Sequence, residues 1–307
     1  MNLAFATRAV LEELTRMRSD GVNRIYIEDE TLQNLEEILR PDSPNADDAE
    51  TIITDQPSEQ IRPSSIELAV EEPARSKTKE PKVEKENIHS LPAPPVFELP
   101  EGSKQDQWEW LRQKVLQCEI CNSELNPEGK VVFGEGDLNA DIFLCGEAPG
   151  ADEELAGAPF VGPAGELLMK ILGAMGLSRE NVYISNILNW RPRHTQAYGN
   201  RPPSIEEMNF CLPYLKGQLD IIKPKVVVAL GKTATDGLLG HDSKRRLSQV
   251  RGSWFEVMGF PMMVTYHPSY LLHNPSKTSK RKVWEDFLLV MEKLEMPVSE
   301  KQRGFFL

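Results

Sequence analysis

The sequence predicts an α/β fold, a parallel sheet with helices on both faces. Two observations carry that expectation. Short apolar runs of strand length end in glycine or polar turn residues, as in ADIFLCG at 140–146, NVYISNIL at 181–188 and PKVVVALG at 224–231. Between and after them lie helical patterns, and strands alternating with helices fold into parallel sheets covered on both sides.

The elements follow in order. QWEWLRQKVLQC at 107–118 reads as a helix ahead of the first strand. PAGELLMKILGAMG at 163–176 begins with proline and ends at glycine, the usual asymmetry of helix termini. SIEEMNFCLPYLKGQLDIIK at 204–223 opens with a Ser cap and a Glu three residues on, and Pro213 is expected to interrupt it. KTATDGLLG is a short helix after the third strand. SWFEVMG and PMMVTYHP read as two further strands, and KRKVWEDFLLVMEKL at 280–294 as the closing helix.

These elements occupy residues 105–307. Residues 1–40 predict a small αβα element, with helical LAFATRAVLEELTRM, a stop at Gly21, the strand RIYIED and the helix TLQNLEEIL. About forty residues bury little core alone, so this piece is expected to dock on the main domain or on a protein partner. Residues 41–104 hold ten of the 23 prolines with many Ser, Glu and Lys. Such a segment cannot bury enough apolar area to offset its ordering entropy, which predicts a disordered linker. Its end, PAPPVFELP, is expected to be extended and to dock near the next domain.

The 307 residues carry a formal net charge of −12, unevenly spread. Residues 191–290 hold fifteen Lys and Arg against eight Asp and Glu, with clusters at Lys244–Arg251 and Lys277–Lys282. A basic stretch on an acidic chain fits a polyanionic partner as well as a solvated surface. Four cysteines do not make a disulfide scaffold. The N-terminus lacks the pattern of a signal peptide, and no apolar run reaches membrane-spanning length. The expectation is a cytoplasmic, monomeric protein without a membrane partner.

In open α/β sheets, ligands bind beyond the carboxyl ends of the strands. That rule selects four loops: GEAPGADEELAGAPF after the first strand, the turn at Asn186, the GKTAT turn, and HPSYLL from His267. The first loop is glycine-rich yet acidic. It lacks the Lys of a phosphate loop and the spacing of a dinucleotide fingerprint. Glu147, Asp152 and Glu153 with His267 could surround a cation, but catalytic zinc sites usually have two or more histidines. A pocket for a nucleobase fits better. Asn186 offers a donor and an acceptor side by side, Phe160 a stacking face, and His267 a donor to an oxygen that becomes negative. The bland alternatives are a core Phe160, a turn-capping Asn186 and a turn His267. Of the adjacent Glu153 and Glu154, one is expected to be merely solvated.

The ordered series GEAPG-x-x-E-x-x-x-G-x-PFVG-x-AG, VYI-x-N, GNR-x-P, PKVVVALG, TYHPSYLL and KR-x-VWED resembles the family 4 uracil-DNA glycosylases, from about residue 130 to 294. The resemblance implies a three-layer sandwich with a four-stranded parallel sheet, and hydrolysis of the N-glycosidic bond of deoxyuridine in DNA to start base excision repair. It implies that Gly146, Glu147 and Ala148 lie against uracil and the sugar, and that Glu153 is a candidate for water activation. It further implies Phe160 as the stacking aromatic, Asn186 as the uracil-reading amide and His267 aimed at uracil O2. Ser269, Tyr270, Leu271 and Leu272 would enter the DNA, with Arg251, Lys280 and Arg281 at its backbone. A non-enzymatic damaged-base binder, and a glycosylase for deaminated purines, are the alternatives. No catalytic metal is implied.

The family usually carries a [4Fe–4S] cluster on four cysteines. Here Cys118, Cys121 and Cys211 match three positions, and Trp190 stands at the other. Cys145 precedes the first loop in a core strand. Three thiolates do not give four-cysteine ligation, so the cluster is expected to be lost, with an incomplete cluster as the alternative.

Overall fold

The computed structural model describes residues 91–193 and 200–307. The element expected at 1–40 and the linker up to residue 90 lie outside the described residues. Residues 91–103 form no helix or strand. Within them Phe97 stacks on Tyr214 at 5.7 Å between centroids, with the Lys114 ammonium over its ring.

The sheet has six strands in the order β1-β3-β2-β4-β6-β5. The parallel centre is β3 (Tyr183–Asn186), β2 (Ile142–Gly146), β4 (Val226–Leu230) and β6 (Phe260–Thr265). Every residue of β2, β3 and β4 is buried, as a sheet covered on both faces requires. These four strands are those the sequence predicts. Two antiparallel edges extend them: β5 (Trp254–Val257), also expected as a strand, and β1 (Glu135–Gly136), which is not. Two residues with a glycine leave no alternation to read, and β1 exists only through its pairing with β3.

Ten α-helices accompany the sheet among the described residues. These are α1 (Lys104–Leu116), α2 (Glu119–Ser123), α3 (Ala151–Ala156), α4 (Pro163–Met175), α5 (Ile205–Ile222), α6 (Lys232–Leu239), α7 (Leu247–Val250), α8 (Pro268–His273), α9 (Lys277–Lys293) and α10 (Glu300–Arg303). Helices α1, α5 and α6 pack together, as do α4, α8 and α9, giving the helix–sheet–helix layering. Helix α5 runs unbroken through Pro213, against expectation. The proline removes the bond to the carbonyl of Asn209, and Asn209 is exposed, so water can serve that acceptor.

The chain leaves β2 first to β3 on one side and then to β4 on the other, so the strand order reverses beside β2. The crevice at the carboxyl ends opens there, as the switch-point rule requires. The last of the central strands is braced from α9. Asp286, 1% exposed, accepts from the Thr265 hydroxyl at 2.6 Å and from the Arg251 guanidinium. Burial pushes the Asp286 carboxyl up to about 6, against the opposing pull of Thr265 and Arg251. A raised carboxyl binds its proton more tightly in the folded than in the unfolded chain. Its contribution to stability is therefore full below the unfolded value of 3.8 and lost as pH rises through about 6. Urea unfolding of wild type and Asp286→Asn across this range should show wild type losing ground to the variant with rising pH. The loss is at most about 3 kcal/mol, and a pH-independent difference contradicts the assignment.

Candidate active site

The four selected loops do converge. They line one cleft of about 860 Å³ that includes Glu147, Phe160, Asn186, Lys232 and His267. Parallel pairing sets Gly146, the last residue of β2, opposite Asn186, the last of β3. The next turn is fixed by backbone bonds from Ile187 N–H to the Gly146 carbonyl and from Leu188 N–H to that of Glu147. The Asn186 side chain is 5% exposed, and its Oδ1 is buried without a hydrogen-bond partner. A buried amide oxygen left unpaired is costly, so the site holds a ready acceptor for a donor brought by a ligand. The bland reading of Asn186 as a turn cap leaves that oxygen unexplained.

Gly146 tolerates no side chain. A Cβ there would lie 2.3 Å from Asn186 Oδ1 and 2.7 Å from the Phe160 ring. Phe160 itself is buried, lines the cleft and has φ of 54°. Its ring lies 5.6 Å from that of His267, tilted by 35°.

His267 is the N-cap of α8. Its Nδ1 accepts from the Ser269 amide at 3.2 Å and lies 2.8 Å from the Ser269 hydroxyl. An Nδ1 that accepts an N–H carries no proton, so the neutral ring bears its hydrogen on Nε2. Ser269, expected at the DNA, thus also sets the tautomer.

The acidic loop is quieter than its sequence implies. Glu153 is buried, and its Oε1 accepts from the Gly162 N–H, the N-cap of α4, at 3.1 Å. Its other oxygen lies against Gly150. Glu154 is not solvated either, correcting the expectation that one of the pair would be. It is 3% exposed, accepts from the Asn126 side chain and backbone, and pairs with Arg191 at 3.7 Å. Glu147 and Asp152 lie at the cleft, with Ala148 beside them.

The segment expected to enter DNA is a turn of helix, α8, and this corrects part of the expectation. Successive residues of a helix point about 100° apart. Leu271 accordingly turns into the core while Leu272 is 44% exposed at the cleft. Tyr270 lines the cleft and stacks on Tyr266 at 4.1 Å. Of the basic residues, Arg251 is spent on Asp286 and the Lys282 carbonyl. Arg281 binds Glu285 and the carbonyls of Arg303 and Phe305. Only Lys280 of the three has its side chain uncommitted. Sequence reasoning missed the cation that does line the cleft, Lys232, which pairs with the buried Asp236. The position of GKTAT after a central strand was the available signal.

Of the three expected cysteines, Cys121 and Cys211 are buried and Cys118 is partly so. Among the described residues no three His, Cys, Asp or Glu side chains are grouped so as to hold a metal ion. Cys121 and burial push the Cys118 thiol up, toward its neutral form. Trp190 is wholly buried, edge-on to Phe210 at 6.1 Å, with its Nε1–H left without a hydrogen-bond partner. An indole cannot replace a thiolate as a ligand, so this donor set does not fit a four-cysteine cluster. Cys145 is wholly buried in β2, and desolvation pushes its thiol up.

Comparison with known proteins agrees with this geometry. The model of the uracil DNA glycosylase superfamily matches residues 133–288. The type-4 uracil-DNA glycosylase of Thermotoga maritima is 40% identical over 185 residues, which is 60% of this chain and 93% of that protein. Those of Saccharolobus solfataricus and Archaeoglobus fulgidus are 35% and 37% identical over 196 and 169 residues. They cover 62% and 53% of this chain, and 87% and 82% of their own lengths. The chain belongs to the uracil-DNA glycosylase superfamily, and within it to the type-4 enzymes.

Proposed function

We propose that this protein excises uracil from DNA by hydrolysing the bond between uracil N1 and the deoxyribose C1′. The observation that carries the reading is the buried, unpartnered Oδ1 of Asn186 beside the Phe160 ring. Uracil presents an N–H donor next to a carbonyl acceptor, and the Asn186 amide is its complement. Cytosine presents a different edge, lacking that N–H. An extruded base would lie with its face on Phe160.

The chemistry follows from charge. As the bond breaks, the electron pair leaves with uracil, which becomes an anion, and the sugar becomes an oxocarbenium-like cation. The Nε2–H of His267 donates to uracil O2, where that negative charge collects. A preorganised donor of this kind is typically worth about 10²- to 10³-fold in rate. Glu147, at the cleft end of β2, stabilises the sugar cation and takes a proton from the water that adds to C1′. Glu153 acts earlier in the chain of causes, by fastening the loop to the start of α4. The products are free uracil and an abasic site.

We read Leu272 and Tyr270, both lining the cleft, as filling the gap left by the extruded nucleotide, and Lys280 as meeting the phosphates. We read the enzyme as a monomer. No helix among the described residues is long and apolar enough to cross a membrane, and we read the enzyme as cytoplasmic. Residues 1–40 are read as an element that docks on the main domain or on a protein partner. The iron–sulfur cluster usual for the family is read as lost, on the strength of Trp190 filling the place of a ligand.

Three outcomes test this. Asn186→Ala and His267→Ala should each slow abasic-site formation on a single-uracil oligonucleotide by about 10²- to 10³-fold; rates equal to wild type sink the assignment. Glu153→Ala should cost about 1–3 kcal/mol of unfolding free energy for a buried amide left unpaired, whereas Glu147→Gln should lower the single-turnover rate. Protein purified without oxygen should contain far less than one iron per chain and lack the visible absorbance of a cluster. Near four irons per chain refutes the loss.

A further inference from the structure

Phe160 stands out for its backbone. Six non-glycine residues among those described have positive φ, and Phe160 is the one that lines the cleft. A bulky aromatic at φ of 54° is an outlier that persists only where its surroundings over-determine it. Two contacts do so here, both on the Phe160 carbonyl. One is with α4: a Cβ on Gly165 would lie 1.9 Å from that oxygen, so only glycine lets the helix close on it. The other is Arg179, whose Nη1 donates to the Phe160 carbonyl at 3.1 Å while its Nη2 donates to the carbonyl of Pro159.

Arg179 is itself held. It lies in the turn of 3-10 helix at Arg179–Asn181 that leads into β3. Its Nε and Nη2 donate to one oxygen of Glu135, at 2.9 and 2.5 Å. Glu135 belongs to β1 and pairs across the ladder with Ile184 of β3. The pair is partly exposed, with 24% of Arg179 and 42% of Glu135 accessible, so as a bare ion pair it adds little stability. Its geometry is more telling. A planar guanidinium spends its fork on two consecutive carbonyls behind the aromatic ring, which a lysine's point charge cannot do.

We infer that Arg179, oriented by Glu135, is a positioning residue for uracil excision, holding the Pro159–Phe160 backbone in the strained form that presents the Phe160 ring to the base. The inference rests on the reading of Phe160 as the stacking face. Without the guanidinium the Phe160 carbonyl keeps only its contact with α4. The backbone can then relax toward negative φ, and the ring leaves its position beside Asn186 and His267. Edge strand β1 thereby acts on the site without touching it.

A double-mutant cycle tests this, using the full-length chain with Arg179→Ala, Phe160→Ala and the combination. The readouts are single-turnover excision from a single-uracil oligonucleotide and inhibition by free uracil, with thermal unfolding alongside. Arg179→Ala should slow excision by about 10- to 100-fold, the scale of a small misplacement of a reacting partner, and should weaken inhibition by uracil. In the Phe160→Ala background the same change should cost no more than about twofold, because coupled residues do not add. Equal slowing in both backgrounds, or none in either, overturns the role of Arg179. A Phe160→Ala enzyme with unchanged rate and uracil inhibition overturns the stacking reading itself. Should Arg179→Ala fail to fold, Glu135→Gln enters the same cycle, with a smaller loss expected in the wild-type background and the same disappearance in the Phe160→Ala background.

Discussion

The site depends on a close approach at Gly146. Parallel register places it level with Asn186, and the Asn186 amide oxygen and the Phe160 ring both press into the space a side chain would occupy. The strand ends supply position because the hydrogen-bonded register of β2 on β3 fixes which residues lie level. From that fixed pair the remaining groups follow. The loop after β2 returns through α3 to place Phe160, and β6 delivers His267 from the other side of the switch point, its last residue pinned by Asp286.

The acidity of the first loop takes on a different meaning once the loop is folded. Four carboxylates within a short stretch would repel DNA if all faced it. Two do not. Glu153 is turned onto a helix start and Glu154 onto Asn126 and Arg191, both buried. Half of the charge that looks like a property of the cleft is the mortar of the loop. Net charge along the sequence is therefore a poor guide to the field a substrate meets, since it counts groups that have already found partners inside.

The parts of the fold that are periodic could be read from the chain. Buried strands ending in glycine, a Ser-capped helix at Ser204 and a proline-started helix at Pro163 all announce themselves locally. So did Asn186, Phe160 and His267, because each lies at a strand end or within a loop that such an end selects. What could not be read depends on contacts between distant positions. Glu135 meets Arg179 across 44 residues and Asn126 meets Glu154 across 28. Neither leaves a periodic trace, and β1 is too short to show alternation. The orientation of Leu271 was lost for a smaller reason: HPSYLL reads as a loop, and only its folding into a helical turn decides which leucine faces outward.

Trp190 has a consequence for how the molecule comes into being. Its indole is wholly buried and packed edge-on to Phe210. A side chain in that volume leaves the ribosome with the rest of the polypeptide. An inorganic group would have to be assembled elsewhere and handed over before the surrounding helices could close. On the proposed loss of the cluster, the maturation of this domain draws on nothing but its own residues, and oxidants that dismantle exposed iron centres have nothing at this position to attack.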